Sequence, residues 1–535
     1  MKTNSLPKQK TKQILASIVM GMNIVNSMAP LALAVQPIVQ QARTEIQSNL
    51  QPLEYAVLPS TLEYLDSLVF SKAYATSYDG NDTVITMYNG DTQNITATQS
   101  GTVSTMSGGN QRISSGGAGT VETMSGGAQT IYSGGSGTVE TMRGGAQTIY
   151  SGGNGTVSTM SDGWHNIYSD GSGTVDTMIN GFQDIYDDGS GTVSTMLKGE
   201  QYISNGANGL VGTMSGGAQT IFSGGSGTVS TMSSGAQKIF SDGSGTISTM
   251  SSGQQSVGFG GHGVIGAMSG GTQSLTGAGT ISTMENGQQV VYNGGLGMVS
   301  TMNSGVQTVN GGGSGTVSTM SSGQQNIASS GSGTISTMSG GEQTILSGGN
   351  GTVETLSGGA QIIQGGGLGI VDTMSSGYQR ISSGGSGTVD TMISKGIQYI
   401  SSCGIGTVDT MSGGTQHISG GIGTVNTMMN NGQQFISSGG IGTVSTMMSG
   451  CAQFIYSGGS GTVDTMTSGN QTISSGASGF VSTMINGAQQ IYSGSGTVST
   501  MSSGQQNISN GGSGTVSTMS GGRQKYPTVQ AQSRR

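Results

Sequence analysis

A chain of 535 residues with 102 glycines, 7% charged and 5% aromatic residues is not a helical globule, because each glycine costs a helix interior roughly 0.5–1 kcal/mol. A formal charge of −8 with no basic stripe excludes a nucleic-acid binder. Two cysteines and three widely separated histidines, His165, His262 and His417, offer no ligand cluster, so no metal and no cofactor is expected.

The chain begins with Lys2, Lys8, Lys10 and Lys12, an apolar stretch from Ile14 to Leu33, and the small-residue site Ala32-Leu33-Ala34. This reads as a secretory signal peptide over residues 1–34. Asn23, Asn26, Ser27 and Pro30 interrupt the stretch and weaken it as a membrane span of about 20 apolar residues. Removing it takes away four lysines and no acid, moving the formal charge from −8 to −12, a mild acidity that favours solubility. Residues 35–79 replace Gly and Ser by Gln, Glu, Leu and Pro, with short helices expected between Thr61 and Val69; they read as a linker or a cap on the first coil of a repeat array. Ala73-Tyr74-Ala75 offers a second processing point.

From residue 80 to residue 524 an 18-residue period governs the sequence, traced on Gln111, Gln129, Gln147, Gln183, Gln201 and onward to Gln524. His165 stands at one of these positions. Slips are small: Gln273 to Gln289 is two residues short, Gln379 to Gln398 and Gln434 to Gln453 one long, and Gln489 to Gln506 one short. A fixed period means a repeat architecture. One unit runs from Gln129 through Ile131 and the turn glycines Gly134-Gly135 to Thr138, Val139, Thr141 and Met142. Two short strands per unit are too few for a propeller blade and suit one coil of an all-β parallel β-solenoid. About 25 coils at about 4.8 Å each would form a rod roughly 120 Å long.

Strand alternation places side chains at i and i+2 on one face. Gln129, Ile131 and Ser133 are therefore expected to point inward, as are Val139 and Thr141. Strict alternation pushes the Met column, including Met106, Met124 and Met142, outward, unless a bend turns it in to pack as a flexible corner filler. Gln columns can bond amide to amide along the axis. The outward residues after Ile, namely Tyr132, Tyr150, Tyr168, Tyr186, Phe222 and Phe240, form an aromatic column: either sheet stabilisation or a binding face for glycans or a neighbouring rod. Cys403 and Cys451 each replace a turn glycine in different corners about three coils apart, so no intrachain disulfide is expected.

The acids Glu122, Glu140, Asp176 and Asp390 are scattered over outward positions and form no catalytic group; no catalytic residue is expected. Asp184, Asp187 and Asp188 make the densest acidic spot, read as solvation of a turn. Gly134-Gly135-Ser136-Gly137-Thr138 carries Thr where a calcium roll needs an acid. The Gly-rich turns lack the Lys-Ser/Thr of a phosphate cradle. Thr138 and Thr141 recur in nearly every coil, but their spacing leaves at best one outward Thr column, an unpromising ice- or crystal-binding surface. Residues 525–535 form a short tail, in which Pro527 removes a ladder donor.

The units G-x-Q-x-I-x-S-G-G followed by G-T-V-x-T-M resemble the repeats of AIDA-type autotransporter adhesins (adhesin involved in diffuse adherence), and the likeness covers most of the chain. The resemblance implies a right-handed β-helical passenger, secreted and displayed at the cell surface on a Gram-negative outer membrane. It implies a role in cell adhesion, self-aggregation or biofilm formation, with host or bacterial cell surfaces, glycans or like rods as partners and with sugars added to Ser and Thr. It designates no individual binding residue. The repeats here are a residue shorter than is usual in that family, and the sequence shows no C-terminal membrane β-barrel of alternating strands, as expected of a truncated or split passenger. An inert stalk that lifts another module is the alternative.

Overall fold

The computed structural model describes residues 75–526, and these form one parallel β-solenoid of about 25 turns with no helix. The signal peptide, the helices expected between Thr61 and Val69, and most of the linker and tail lie outside the described residues. Each coil holds a long strand of the type Ser172–Met178 and a short strand of the type Phe182–Ile185. Long strands pair with long strands of adjacent coils, Val175 with Val157 and Val193, and short strands with short, Gln183 with His165 and Gln201. In four coils the two strands run into one, as in Ser136–Ile149, Asn154–Ile167, Ser386–Ser401 and Ile405–Ser419, which joins both ladders into a continuous sheet.

The interior is narrow and repeats by column. Glutamine and Ile of the short strand are fully buried, as are Val and Met of the long strand. Val and Met build one apolar column from Val84 to Met501, and the Ile positions build a second. The expected inward Gln129, Ile131 and Val139 are in place.

Two expectations fail. Ser133 is exposed, because the strand has already ended at Ile131 and Ser133 belongs to the turn closed by the Gly135 amide donating to the Tyr132 carbonyl at 2.9 Å. Thr141 is only half-buried, and Met142 is buried instead. The long strand places two successive residues outward, Glu140 and Thr141, and the ladder skips that level: Val175 pairs with Val193 and Thr177 with Thr195, leaving Asp176 unpaired. This bulge inverts the alternation. Its driving force is burial of the thioether side chain, worth about 1.5–3 kcal/mol relative to exposure.

The glycines of a turn pair divide the labour. Gly134 (φ 72°) and Gly145 (φ 79°) take the left-handed conformation. Gly137 lies inside the long strand, where a Cβ would stand 2.5 Å from Ile131 Cδ1 and 2.6 Å from Gln129 Oε1. It is where the long strand meets the short-strand side chains most closely, and it repeats in coil after coil.

The glutamines form a directional ladder. Each Nε2 donates to the Oε1 of the preceding coil, as in Gln129 to Gln111 (2.7 Å) and Gln201 to Gln183 (2.6 Å). The same Nε2 lies near two long-strand carbonyls, those of Gly119 and Thr138 for Gln129, so each rung also ties the two walls together. Coil slips leave it intact, with Gln289 reaching Gln273 at 2.7 Å across the short coil and Gln398 reaching Gln379 at 2.6 Å across a long one. At the N-terminal end Gln93 donates to the carbonyls of Asp82 (2.8 Å) and Asp79 (3.1 Å). There the buried Asp91 carboxylate accepts from the Thr76 and Tyr88 amides.

This packing makes two substitutions informative. Gln325→Leu leaves Gln307 Oε1 without its donor, while Gln343 Nε2 keeps the Gly333 and Thr352 carbonyls. Local opening of those coils, read by hydrogen exchange, should become easier by about 1–3 kcal/mol, the usual cost of one buried unsatisfied group. Gly227→Ala drives a methyl against Ile221 Cδ1 and Gln219 Oε1 and should destabilise by about 1–3 kcal/mol in the same assay, as overpacking does.

Candidate functional site

With the interior fixed by repetition, the outward columns are where coils differ. The six aromatic residues expected to form one column form two stacks. Tyr132, Tyr150, Tyr168 and Tyr186 stack ring on ring at 5.6, 5.5 and 5.3 Å, with interplanar angles of 13–16°. Phe222 and Phe240 stack at 5.2 Å. Ser204 occupies the position between the two stacks, and Gly258 comes after the second. Tyr132 and Tyr150 are 42% and 40% exposed, so the rings cover no core.

Further aromatic groups share this face. Trp164 stacks on Phe182 (6.0 Å), and Phe182 on Tyr202 (6.4 Å). A longer ladder, Tyr399, His417, Phe435 and Phe454, occupies the outward position between Gln and Ile, with successive ring centroids 5.2, 4.9 and 4.9 Å apart. At its lower end Tyr378 meets Tyr399 edge-on at 73°, and the Arg380 guanidinium lies 5.4 Å from the Tyr378 ring centre. These residues are hidden among the variable positions of the repeat. Reading that one position down successive coils, instead of along one coil, shows the run.

The electrostatics are local. Burial first, and Glu200 second, raise the Asp184 carboxyl above the usual range. Tyr202 donates to Glu200, and that bond, with burial and the Glu200 charge, pushes its phenol up to about 12. Burial is likewise the leading cause of the raised Tyr168 and Tyr186 phenols. Asp187 and Asp188 occupy left-handed turn positions (φ 50° and 65°), and Asp187 accepts from the Asn205 amide. That is the turn role expected of them. Among the described residues no group of three His, Cys, Asp or Glu side chains is arranged to hold a metal, and no helix is long and apolar enough to cross a membrane. Cys403 is exposed in a turn and Cys451 is buried in the Val–Met column; both are free thiols.

His165 interrupts the amide ladder. Gln183 Nε2 donates to His165 Nδ1 at 2.9 Å, which puts the imidazole proton on Nε2. That Nε2 and the Gln147 Oε1 of the coil before are both buried and find no hydrogen-bond partner among the described residues. Gly173 faces the ring, where a Cβ would lie 2.5 Å from His165 Cε1. The ladder is thus two ladders, Gln93 to Gln147 and Gln183 to Gln524.

Neither a protein-family model nor a curated protein matches the chain. Among solved structures it is similar to the crystal structure of a TibC-catalyzed hyper-glycosylated fragment of TibA, at 21% sequence identity and a TM-score of 0.17, over 85% of this chain and 97% of that one.

The ladder break carries its own prediction. Complete burial lowers the His165 pKa to about 3, below its ordinary value near 6.5. The unfolded imidazole therefore takes up a proton that the folded one refuses, and stability from this group is present above pH 6.5 and falls as the pH drops toward about 3. His165→Gln restores the missing rung. It should raise hydrogen-exchange protection in coils 147–183 at pH 7, and the gain over wild type should widen on acidification; equal protection at both pH values would contradict it.

Proposed function

We propose that this chain is a non-enzymatic, surface-displayed rod acting in cell adhesion, self-aggregation or biofilm formation, as its repeats' resemblance to AIDA-type autotransporter adhesins implies. In this reading it is exported to the outer surface of a Gram-negative bacterium and meets host cells, bacterial cells, glycans or other rods. Exposed Ser and Thr on the outward positions would serve as acceptors for sugars.

One observation carries the reading: stacked, solvent-exposed aromatic rings stand where the fold does not require them. Tyr132, Tyr150, Tyr168 and Tyr186 lie in a column that elsewhere holds Ser204 and Gly258, and those coils keep the same strands and the same buried Gln and Ile or Val. Exposed rings bring large contact area with little conformational entropy to lose, which is what a binding surface uses. An inert stalk is the second reading, favoured by coils such as those of Gln273 and Gln471, whose outward short-strand positions hold only Ser, Thr and Asn.

Display decides between them. The chain from Val35, fused to a foreign autotransporter barrel in a non-adherent bacterium, should cause cell clumping or adhesion to epithelial or abiotic surfaces beyond the barrel alone. Replacing Tyr132, Tyr150, Tyr168, Tyr186, Phe222 and Phe240 together by Ser should reduce that gain several-fold at equal surface expression. Confirmed display with no gain from the parent chain would support the stalk.

A further inference from the structure

Departures from the repeat concentrate between residues 378 and 456. The outward position between Gln and Ile, which varies elsewhere from Thr130 and Ser256 to Lys238, Ile362 and Arg380, holds Tyr399, His417, Phe435 and Phe454 in four consecutive coils. The segments between Met392 and Gln398, Met428 and Gln434, and Met447 and Gln453 each carry one extra residue, and the first, within the strand Ser386–Ser401, places Lys395 two residues before Ile397, the register partner of Tyr378. At the lower end of this ladder Tyr378, Arg380, Tyr399, Ser401, His417 and Ser419 line an open depression of about 400 Å³.

The depression has the parts of a sugar site. His417 stacks on one face of Tyr399; on the other side its register partner in the coil below is Arg380, and Tyr378 meets Tyr399 edge-on. The exposed part of the Tyr399 ring and the upright Tyr378 ring form a corner against which the apolar side of a pyranose can lie. Ser401 and Ser419 supply hydroxyl donors and acceptors at the rim. Arg380 is exposed and forms no ion pair among the described residues; its contact is the Tyr378 ring. The neighbouring acids Asp372, Asp390 and Asp409 all stand on long strands, while Arg380 stands on a short one. A guanidinium held beside an aromatic wall and free of carboxylates suits bidentate capture of a carboxylate. Two cations in a chain of net charge −8 do not make a phosphate track.

We propose that this depression binds a carboxylate-bearing sugar, its ring against the Tyr378–Tyr399 corner and its carboxylate on Arg380, with Lys395 adding long-range attraction. The proposal rests on the adhesive reading above and supplies it with a ligand class. It is distinct from the Tyr132–Tyr186 face, because it lies on other coils and uses charge.

The test titrates the purified full-length chain with sialate-terminated and glucuronate-terminated oligosaccharides and with neutral counterparts of each, by calorimetry and NMR. At least one acidic glycan should bind tenfold or more tightly than its neutral counterpart, and weaken as salt is raised. Arg380→Gln should erase most of that preference. Tyr399→Thr, which installs the residue found at this position in other coils, should abolish binding while leaving the circular dichroism spectrum unchanged. No preference for either acidic glycan, or a preference untouched by Arg380→Gln, overturns the proposal. Displayed cells scored in parallel separate the two readings. Adhesion that survives both Tyr399→Thr and excess free glucuronate and sialate overturns the sugar site and leaves the adhesin standing. Sugar binding by the purified chain without any gain in adhesion on display supports the site and overturns the adhesin.

Discussion

Everything in this rod depends on the buried glutamine amide. A solenoid coil of this size has room for only a few inward side chains, and it cannot become stable by building a larger core, so its coils must hold one another. The amide does this in three directions at once: it accepts from the next coil, donates to the coil before, and approaches carbonyls of the facing strand. A buried amide left unpaired would be costly, and everywhere but at His165 the ladder satisfies the buried amides by repetition alone. This explains why the slips of one or two residues fall between rungs, three in turns and the Gln379–Gln398 slip as an irregularity between Ser394 and Ile397 inside a continuous strand: a connection can absorb a residue, whereas a shifted rung would strand two amides. It also explains why the facing position is Gly, since the rung and the adjacent Ile already fill the space between the strands.

The same logic gives the rod a polarity and a seam. Every Nε2 points toward the N-terminal end, so the ladder needs acceptors there, and the Asp79 and Asp82 carbonyls provide them. His165 is the one rung that takes without giving: its Nδ1 accepts from Gln183, but its Nε2–H reaches no acceptor. Its imidazole keeps the downstream bond to Gln183 and loses the upstream one to Gln147. Backbone ladders on either side hold the coil in place, Ile167 pairing with Ile149 and Ile185. The loss is therefore confined to the interior, and opening should start between these two coils rather than at random along the rod. The exposed Trp164, beside this rung, stacks on Phe182 of the downstream coil and so adds nothing across the seam.

Much of the fold is legible in the sequence because the period is so regular. The inward Gln, Ile and Val, the turn glycines and the parallel coil-on-coil register all come from an 18-residue spacing and strand alternation. What escapes is parity. Extending alternation past the place where each strand ends or bulges puts Ser133 and Thr141 on the wrong side, and a period read along one coil cannot reveal a bulge that occurs in all of them. The choice between burying Thr141 and burying Met142 is made by apolar area, and the strand bends to suit the larger side chain. The candidate surfaces are half legible. The Tyr column stands out because its members replace one another, whereas Tyr399, His417, Phe435 and Phe454 are lost among residues of every kind at a position that looks free to vary.

That position illustrates where function can reside in such a molecule. An inward substitution disturbs two neighbouring coils, so the interior resists change and carries no specificity. An outward substitution alters one coil's surface and, through stacking at about 5 Å, its immediate neighbours. A run of like residues down one outward column is therefore the smallest unit with which the rod can present a patch larger than a single side chain. The end of such a run differs from its middle: inside a stack both ring faces are occupied, and only the terminal ring keeps one face uncovered by another ring. Tyr399 is one such ring: its register partner in the coil below is Arg380, which with the edge-on Tyr378 ends the stack. A recognition site on a β-solenoid of this kind belongs where a ladder ends, because there the repeat stops satisfying its own surface.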